Sequence, residues 1–223
     1  MDNLYGDTAL EDQPVYSISD VARYIQVPLT TVRAWVRGTS YTRDGQSIRF
    51  QPVIHPAHKS YLSLRNFFEL LILKTITRGE NIPLPRVRTA IDVLQRKFQT
   101  DHPLSDIQLL TDKTDILVEE AGGILNVSRS GQQEMVELIH KIISRIEISG
   151  DGHIVFRPYN DGIMDPSVQF GRLCIAGTRI PTEDVFLRHD SGESVPDISK
   201  DLRCPSERIE KAIRYEQSIR QAA

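Results

Sequence analysis

Two short apolar stripes of helical period stand on either side of a proline within residues 18–38. Ile18, Val21, Ala22 and Ile25 fall at i, i+3, i+4 and i+7, one face of a short helix. Ser17 or Ser19 can cap its start by accepting a hydrogen bond from a free backbone N–H. Gln26-Val27-Pro28 breaks the pattern, because proline cannot donate inside a helix. A second helix turns Val32, Trp35 and Val36 inward and stops at Gly38, a C-terminal cap residue. Two short helices around a tight turn fit a helix-turn-helix. Its second helix carries Thr30, Thr31, Arg33 and Arg37 on the other face. Hydroxyl and guanidinium groups placed there reach phosphates and base edges in a major groove.

The next stretch, Ser40-Tyr41-Thr42-Arg43-Asp44-Gly45-Gln46, contains Asp-Gly, a strong hairpin-turn signal, and reads as a wing with Arg43 and Arg49 along its edge. Amphipathic helices follow over 63–77 (Leu64, Phe67, Phe68, Leu71, Ile72) and 84–98 (Val87, Ala90, Ile91, Leu94, Phe98). Charge separates this half from the rest. Residues 16–100 hold 13 Lys+Arg against 5 Asp+Glu, whereas residues 1–15 hold 4 acids and no base and residues 101–223 hold 21 acids against 14 bases. The net charge of -3 conceals that split. A basic part joined to an acidic one is a sign of a nucleic-acid-facing unit tied to a unit with another task.

Residues 106–127 alternate apolar and polar positions, broken by Asp112-Lys113 and Gly122-Gly123, and predict short strands with turns. A helix over 131–145 uses Met135, Leu138, Ile139 and Ile142; strands at 146–148 and 154–156 flank a Gly150-Asp151-Gly152 turn. Near the C-terminus, Thr182 followed by Glu183 and Asp184 makes a good helix start, with acids at the positive end of the dipole. Val195, Ile198 and Leu202, a break at Cys204-Pro205, then Ile209, Ala212 and Ile213 read as a last helix pair, with Ser206 placed to cap its second member.

The order of helix, turn, Thr-Val-Arg-Ala-Trp helix, wing and two further helices over 16–98 resembles the MerR-like winged helix-turn-helix. This chain departs from that family in Pro28 and in a wing extended by residues 50–56. Asp165-Pro166, Phe170-Gly171, the run Ile175-Ala-Gly-Thr-Arg-Ile-Pro-Thr182, Gly192-Glu-Ser-Val195 and the terminal Ala212-Ile-Arg-Tyr-Glu216 resemble a small helical domain of unknown function found in VapB-like antitoxins. Residues 126–132 resemble the connector of its long, MerR-headed members. The resemblance implies a type II antitoxin that silences a PIN-like ribonuclease toxin, represses its own operon on double-stranded operator DNA, and assembles as a homodimer or a higher hetero-oligomer with the toxin. The toxin's active site is a carboxylate cluster holding a divalent metal, so an inserted cation is a sensible block. Arg172, Arg179, Arg214 and Arg220 lie in the resembling domain and are the candidate toxin-binding cations; a brace for the Gly177 turn is the competing role of Arg179.

The expected architecture is mainly α with small β elements. An acidic tail (1–15) leads to a winged helix-turn-helix DNA-binding domain (16–100), then an α+β connector (101–158) and a small helical, helix-turn-helix-like domain for toxin binding (159–223). A plain MerR-like regulator with a ligand-sensing or dimerising C-terminal half is the alternative, and a hydrolase or nuclease the third reading. Against catalysis, His55 and His58 are separated by a proline with no carboxylate or cysteine nearby, Cys174 has no local nucleophile signature, and no phosphate-cradling glycine loop exists. The acid pairs Glu119-Glu120 and Glu183-Asp184 read as solvated faces or helix starts. No cofactor or metal is expected. No apolar run approaches the ~18 residues of a membrane span, and the acidic start lacks the parts of a signal peptide, so the expectation is a cytoplasmic protein with Cys174 and Cys204 reduced.

Overall fold

The computed structural model describes residues 9–43, 46–77 and 82–221, with no side chains described over 41–48. The described chain is mainly helical with small antiparallel sheets. Strand β1 (Tyr16–Ser17) runs into α1 (Ile18–Tyr24), whose start is fixed by a capping box: the Asp20 N–H donates to Ser17 Oγ at 3.1 Å, and the Ser17 N–H donates to the Asp20 carboxylate at 3.3 Å. After the Ile25–Pro28 turn, α2 (Leu29–Arg37) packs on α1 and buries Val32, Trp35 and Val36. Gly38 ends α2 at φ +73, and a Cβ there would overlap the Phe50 carbonyl. The hairpin β2 (Thr39–Arg43) and β3 (Gln46–Phe50) follows; its register pairs Arg43 with Gln46, and the anticipated turn Asp44-Gly45 lies outside the described residues. The chain returns to α2 at once, since the Val53 and Ile54 N–H groups both donate to the Trp35 carbonyl, at 2.7 and 3.1 Å. A short strand β4 (Tyr61–Leu62) pairs with β1, and α3 (Leu64–Ile76) begins on a second capping box, Ser63 with Asn66. The amphipathic α4 (Leu84–Phe98) completes this half.

Residues 106–127 depart from expectation. They form two helices, α5 (Ile107–Asp112) and α6 (Thr114–Leu125), not strands. Asp106 caps α5 through the Leu109 N–H at 2.9 Å. Leu117, Val118, Ala121 and Leu125 bury one helical face, while Ile116, an inward strand residue under the alternating reading, is 42% exposed. Gly122 and Gly123 lie within α6 instead of marking a turn: a Cβ on Gly122 would meet the Gln132 side chain at 2.8 Å, so the glycine admits the close approach of α7 (Arg129–Ile143). Of the later elements, the strands at 146–148 and 154–156 and the last three helices fall where the sequence predicts, whereas two further strands arise within 159–175, a stretch expected to belong to a helical domain. Strands β5 (Ile146–Ile148), β6 (Ile154–Phe156), β7 (Gly162–Met164) and β8 (Leu173–Ile175) form an antiparallel meander, and α8 (Thr182–Asp190), α9 (Val195–Leu202) and α10 (Ser206–Gln221) follow. Ser206 is the first residue of α10.

One hydrophobic cluster runs from Tyr16 to Leu173 and takes in α1 to α7 and the sheet; a second, built on Ile175, Val185, Ile198, Ile209 and Ala212, sits among the last three helices. The residues expected as DNA-binding domain and connector thus share a core. The meander crosses residue 158, with Phe156 of β6 opposite Met164 of β7.

Candidate nucleic-acid interface and partner surface

Burial of Val32, Trp35 and Val36 turns the opposite side of α2 to solvent, where Thr30, Arg33 and Arg37 share one face at i, i+3 and i+7; Thr31 is half-buried at its edge. Arg49 is exposed on β3 opposite Ser40. The Arg43 side chain lies outside the described residues, although its backbone ends β2. Other arginines of this half have internal work. Arg23 bonds Glu183, Arg65 grips Asp12, Arg88 donates to the Gln51 carbonyl and Arg96 to that of Asp92. Among the described residues Arg33, Arg37 and Arg49 make no ion pair or hydrogen bond of their side chains, so their donors face water and are available to phosphate or base edges. Sequence reading missed Arg86. It is exposed in the first turn of α4, next to Leu84 and Val87, which border the same hollow as Thr30, Thr31 and Ala34 of α2. A cation beside an exposed helix N-terminus was the signal available.

The four arginines of the C-terminal segment divide by environment. Arg172 holds Asp184 at 2.6 Å and lies 3.7 Å from Glu183. Arg214 is exposed and pairs with Glu210 one turn back on α10, at 3.1 Å. Arg220 donates to Glu183 at 3.0 Å, approaches Glu216 at 3.7 Å and lies over the Phe186 ring at 4.4 Å. Only Arg179 of the four is exposed with no side-chain partner among the described residues. It follows Gly177 (φ +69) on the rim of a hollow of about 380 Å³ that also borders Phe170, itself 61% exposed. The chain backs this rim firmly: Tyr16 Oη donates to the Gly171 carbonyl at 2.6 Å, and burial raises the Tyr16 phenol far above its ordinary pKa, so it remains a donor.

The N-terminal half and the last three helices are joined by a part-buried polar network that composition and spacing did not reveal. Glu183, in the first turn of α8, accepts from Arg23 of α1 at 3.1 Å and from Arg220 of α10. Behind it Glu216 is wholly buried and accepts from Thr182 Oγ1 at 2.6 Å; burial raises its pKa, offset in part by that bond and by Arg23 and Arg220.

Groups weighed as catalytic sit elsewhere. His55 and His58 are exposed, and His58 lies against Tyr61. No group of three or more metal-ligating side chains occurs among the described residues. Both cysteines are free and buried, and burial pushes the Cys174 thiol up to about 11, which keeps it protonated near neutrality. Ser149, His153 and Asp165 form a hydrogen-bonded chain (2.9 and 3.0 Å), but the same Asp165 oxygen also accepts from the Ser167 N–H and hydroxyl, and His153 is 7% exposed. The arrangement ties the β5–β6 turn to the end of β7. No helix among the described residues is long and apolar enough to cross a membrane.

A family model described as a protein of unknown function, DUF433, matches residues 163–215, the stretch that holds Arg172, Arg179 and Arg214. Over most of its length the chain is similar to two proteins of Mycobacterium tuberculosis. One, named "Putative antitoxin VapB45", is 25% identical over 237 residues, which cover 93% of this chain and 97% of that protein. The other, named an uncharacterized protein, Rv2308, is 22% identical and covers 96% of this chain and 95% of its own. The crystal structure of Rv2018 from the same organism matches with a TM-score of 0.63 and 20% identity, over 90% of this chain and 98% of that one, and shares the fold. The likeness to the protein named a putative antitoxin, together with the DUF433 match, supports an antitoxin-like family.

Proposed function

We propose that this chain is the antitoxin of a type II toxin–antitoxin pair, which binds and neutralises a PIN-like ribonuclease toxin and represses its own operon. The observation that carries the reading is the likeness, over 93% of the chain, to a protein named as an antitoxin. In this reading residues 16–100 act as a MerR-like winged helix-turn-helix. Helix α2 enters the major groove with Thr30, Thr31, Arg33 and Arg37, and the β2–β3 hairpin lies along the backbone with Arg43 and Arg49. That Arg33, Arg37 and Arg49 have no side-chain partner among the described residues supports this assignment, because guanidinium groups free of internal carboxylates need not break a bond to meet phosphate. The C-terminal segment holds the toxin. Arg179 is the first choice for the cation set against the toxin's carboxylates, since Arg172 and Arg220 are already engaged with Asp184 and Glu183 and Arg214 has Glu210 beside it. The protein works in the cytoplasm as a homodimer or a higher hetero-oligomer with its toxin, performs no catalysis and needs no cofactor.

The test is purification of the tagged chain expressed together with its native flanking genes. A stoichiometric small acidic protein that is toxic when expressed alone, and whose toxicity this chain relieves, is the expected result. Recovery of the chain alone, or with DNA only, overturns the antitoxin reading in favour of a plain MerR-like regulator. Metal-dependent turnover by the isolated chain would replace both with a hydrolase.

A further inference from the structure

Where α1, α3, α7 and α10 meet, the chain leaves an open cavity of about 660 Å³, within the ~300–1,000 Å³ of small-molecule sites. Its floor is apolar. Phe67 of α3, Phe156 of β6 and Met164 of β7 are 2%, 5% and 1% exposed, with the two rings 5.7 Å apart, so the floor is the outer surface of the main core. Tyr24 at the end of α1 and Tyr215 of α10 form walls, and Leu138 and Ile142 of α7 stand at the side.

The charge of the lining runs against that of its surroundings. Residues 101–223 carry 21 acids against 14 bases, yet among the described residues the part of the lining they supply holds Lys141 and Arg145 and no Asp or Glu, and α3 of the basic half adds Lys74. The nearby buried carboxylate, Glu216, is turned away and bonded to Thr182. Arg145 is pinned in place because Nη1 donates to the Pro158 carbonyl, which leaves the rest of its guanidinium fork for an outside acceptor. Lys141 has no ion-pair or hydrogen-bond partner for its ammonium among the described residues. A recessed apolar floor with cations at one side is matched by one ligand chemistry. A neutral apolar molecule would ignore the cations, and a cationic one would meet like charge.

We propose that this cavity binds an amphipathic organic anion, a ring-bearing carboxylate whose apolar body rests on Phe67, Phe156 and Met164 and whose carboxylate meets Lys141 and Arg145. Tyr24 closes α1 just before α2, and Tyr215 lies in the 163–215 segment, so one occupant touches both the DNA-facing half and the C-terminal unit. The site is independent of whether a toxin partner exists.

The experiment is calorimetric titration of the full chain with naphthaleneacetate and with its neutral counterpart naphthaleneacetamide. Saturable binding of the acetate is expected, with the amide weaker by about threefold or more, as exposed charge pairs of ~0.2–1 kcal/mol each imply. The double variant Lys141→Gln, Arg145→Gln removes both cations, and with Arg145 its bond to the Pro158 carbonyl; it should weaken acetate binding by about fivefold or more and leave amide binding nearly unchanged. Ile142→Trp, which fills the side of the cavity, should abolish binding of both, and if that variant melts early, Leu138→Phe takes its place. No saturable acetate binding, equal affinity for acetate and amide, or acetate affinity indifferent to the loss of both cations or to the filled cavity would each overturn the proposal.

Discussion

Removing Glu183 should loosen the junction between the N-terminal half and the C-terminal helices. Its carboxylate accepts from Arg23 at 3.1 Å and from Arg220 at 3.0 Å, with the three side chains 29%, 16% and 28% exposed. This is neither a surface pair, worth ~0.2–1 kcal/mol, nor a fully buried one, whose breaking costs ~3–5 kcal/mol. Each arginine keeps a second, poorer carboxylate, Asp20 at 3.4 Å for Arg23 and Glu216 at 3.7 Å for Arg220. Glu183→Ala should therefore cost about 1–3 kcal/mol, seen as a melting temperature lower by about 2–10 °C for a chain of this size. Part of that loss is trivial, because an acid in the first turn of α8 also favours the helix dipole by ~0.3–1 kcal/mol.

A double-mutant cycle removes the trivial part. Arg23→Met, Glu183→Ala and the pair, measured by urea unfolding, should give a coupling energy of about 1 kcal/mol. The exposed pair Arg214–Glu210 is the internal control, where a cycle should give no more than ~0.5 kcal/mol. A coupling across Arg23 and Glu183 below about 0.3 kcal/mol, or equal to the control, would refute the claim that this bond joins the two units.

Three further outcomes follow from the geometry. Gly38→Ala should destabilise the chain by about 1–3 kcal/mol, because φ +73 with an extended ψ strains any Cβ and that Cβ would overlap the Phe50 carbonyl; a melting temperature equal to wild type would remove the constraint. Arg33→Ala and Arg37→Ala should each flatten the salt dependence of operator binding by about 0.9 in log–log slope for every phosphate no longer neutralised, while Lys97→Ala, paired with Glu120 away from α2, should leave it alone; equal slopes in all three would remove α2 from the interface. His102 is held above its usual pKa chiefly by its bond to Glu69, 2.8 Å away. Its contribution to stability is thus complete below the unfolded value of ~6.5 and lost as pH rises through the raised folded value. The stability gap between wild type and His102→Gln should shrink as pH rises above about 6.5, and a gap that widens instead would reverse the assignment.

Whether a feature was legible in the sequence tracks how far apart its causes lie along the chain. A serine cap at 17 or 19, the proline break at 28 and the Gly38 stop are each decided within four residues, and the described elements begin and end there, with Ser17 as the cap. Residues 106–127 misled because Ile107 and Leu109, and Ile116 and Val118, satisfy a period of two, while the burial that decides the matter, Leu117, Val118, Ala121 and Leu125, has the period of a helix. Gly122 compounded the error. Its reason is the Gln132 side chain on the next helix, a packing contact that reads in sequence as a turn. The candidate site was half legible for the same reason. Exposure of Thr30, Arg33 and Arg37 follows from the apolar stripe they oppose, but whether an arginine is free or spent depends on partners far away. Arg23 meets Glu183 160 residues on, and Arg220 meets it 37 residues back. Four arginines of equal standing in the C-terminal sequence therefore separate, once folded, into three with carboxylates beside them and Arg179, which has none among the described residues.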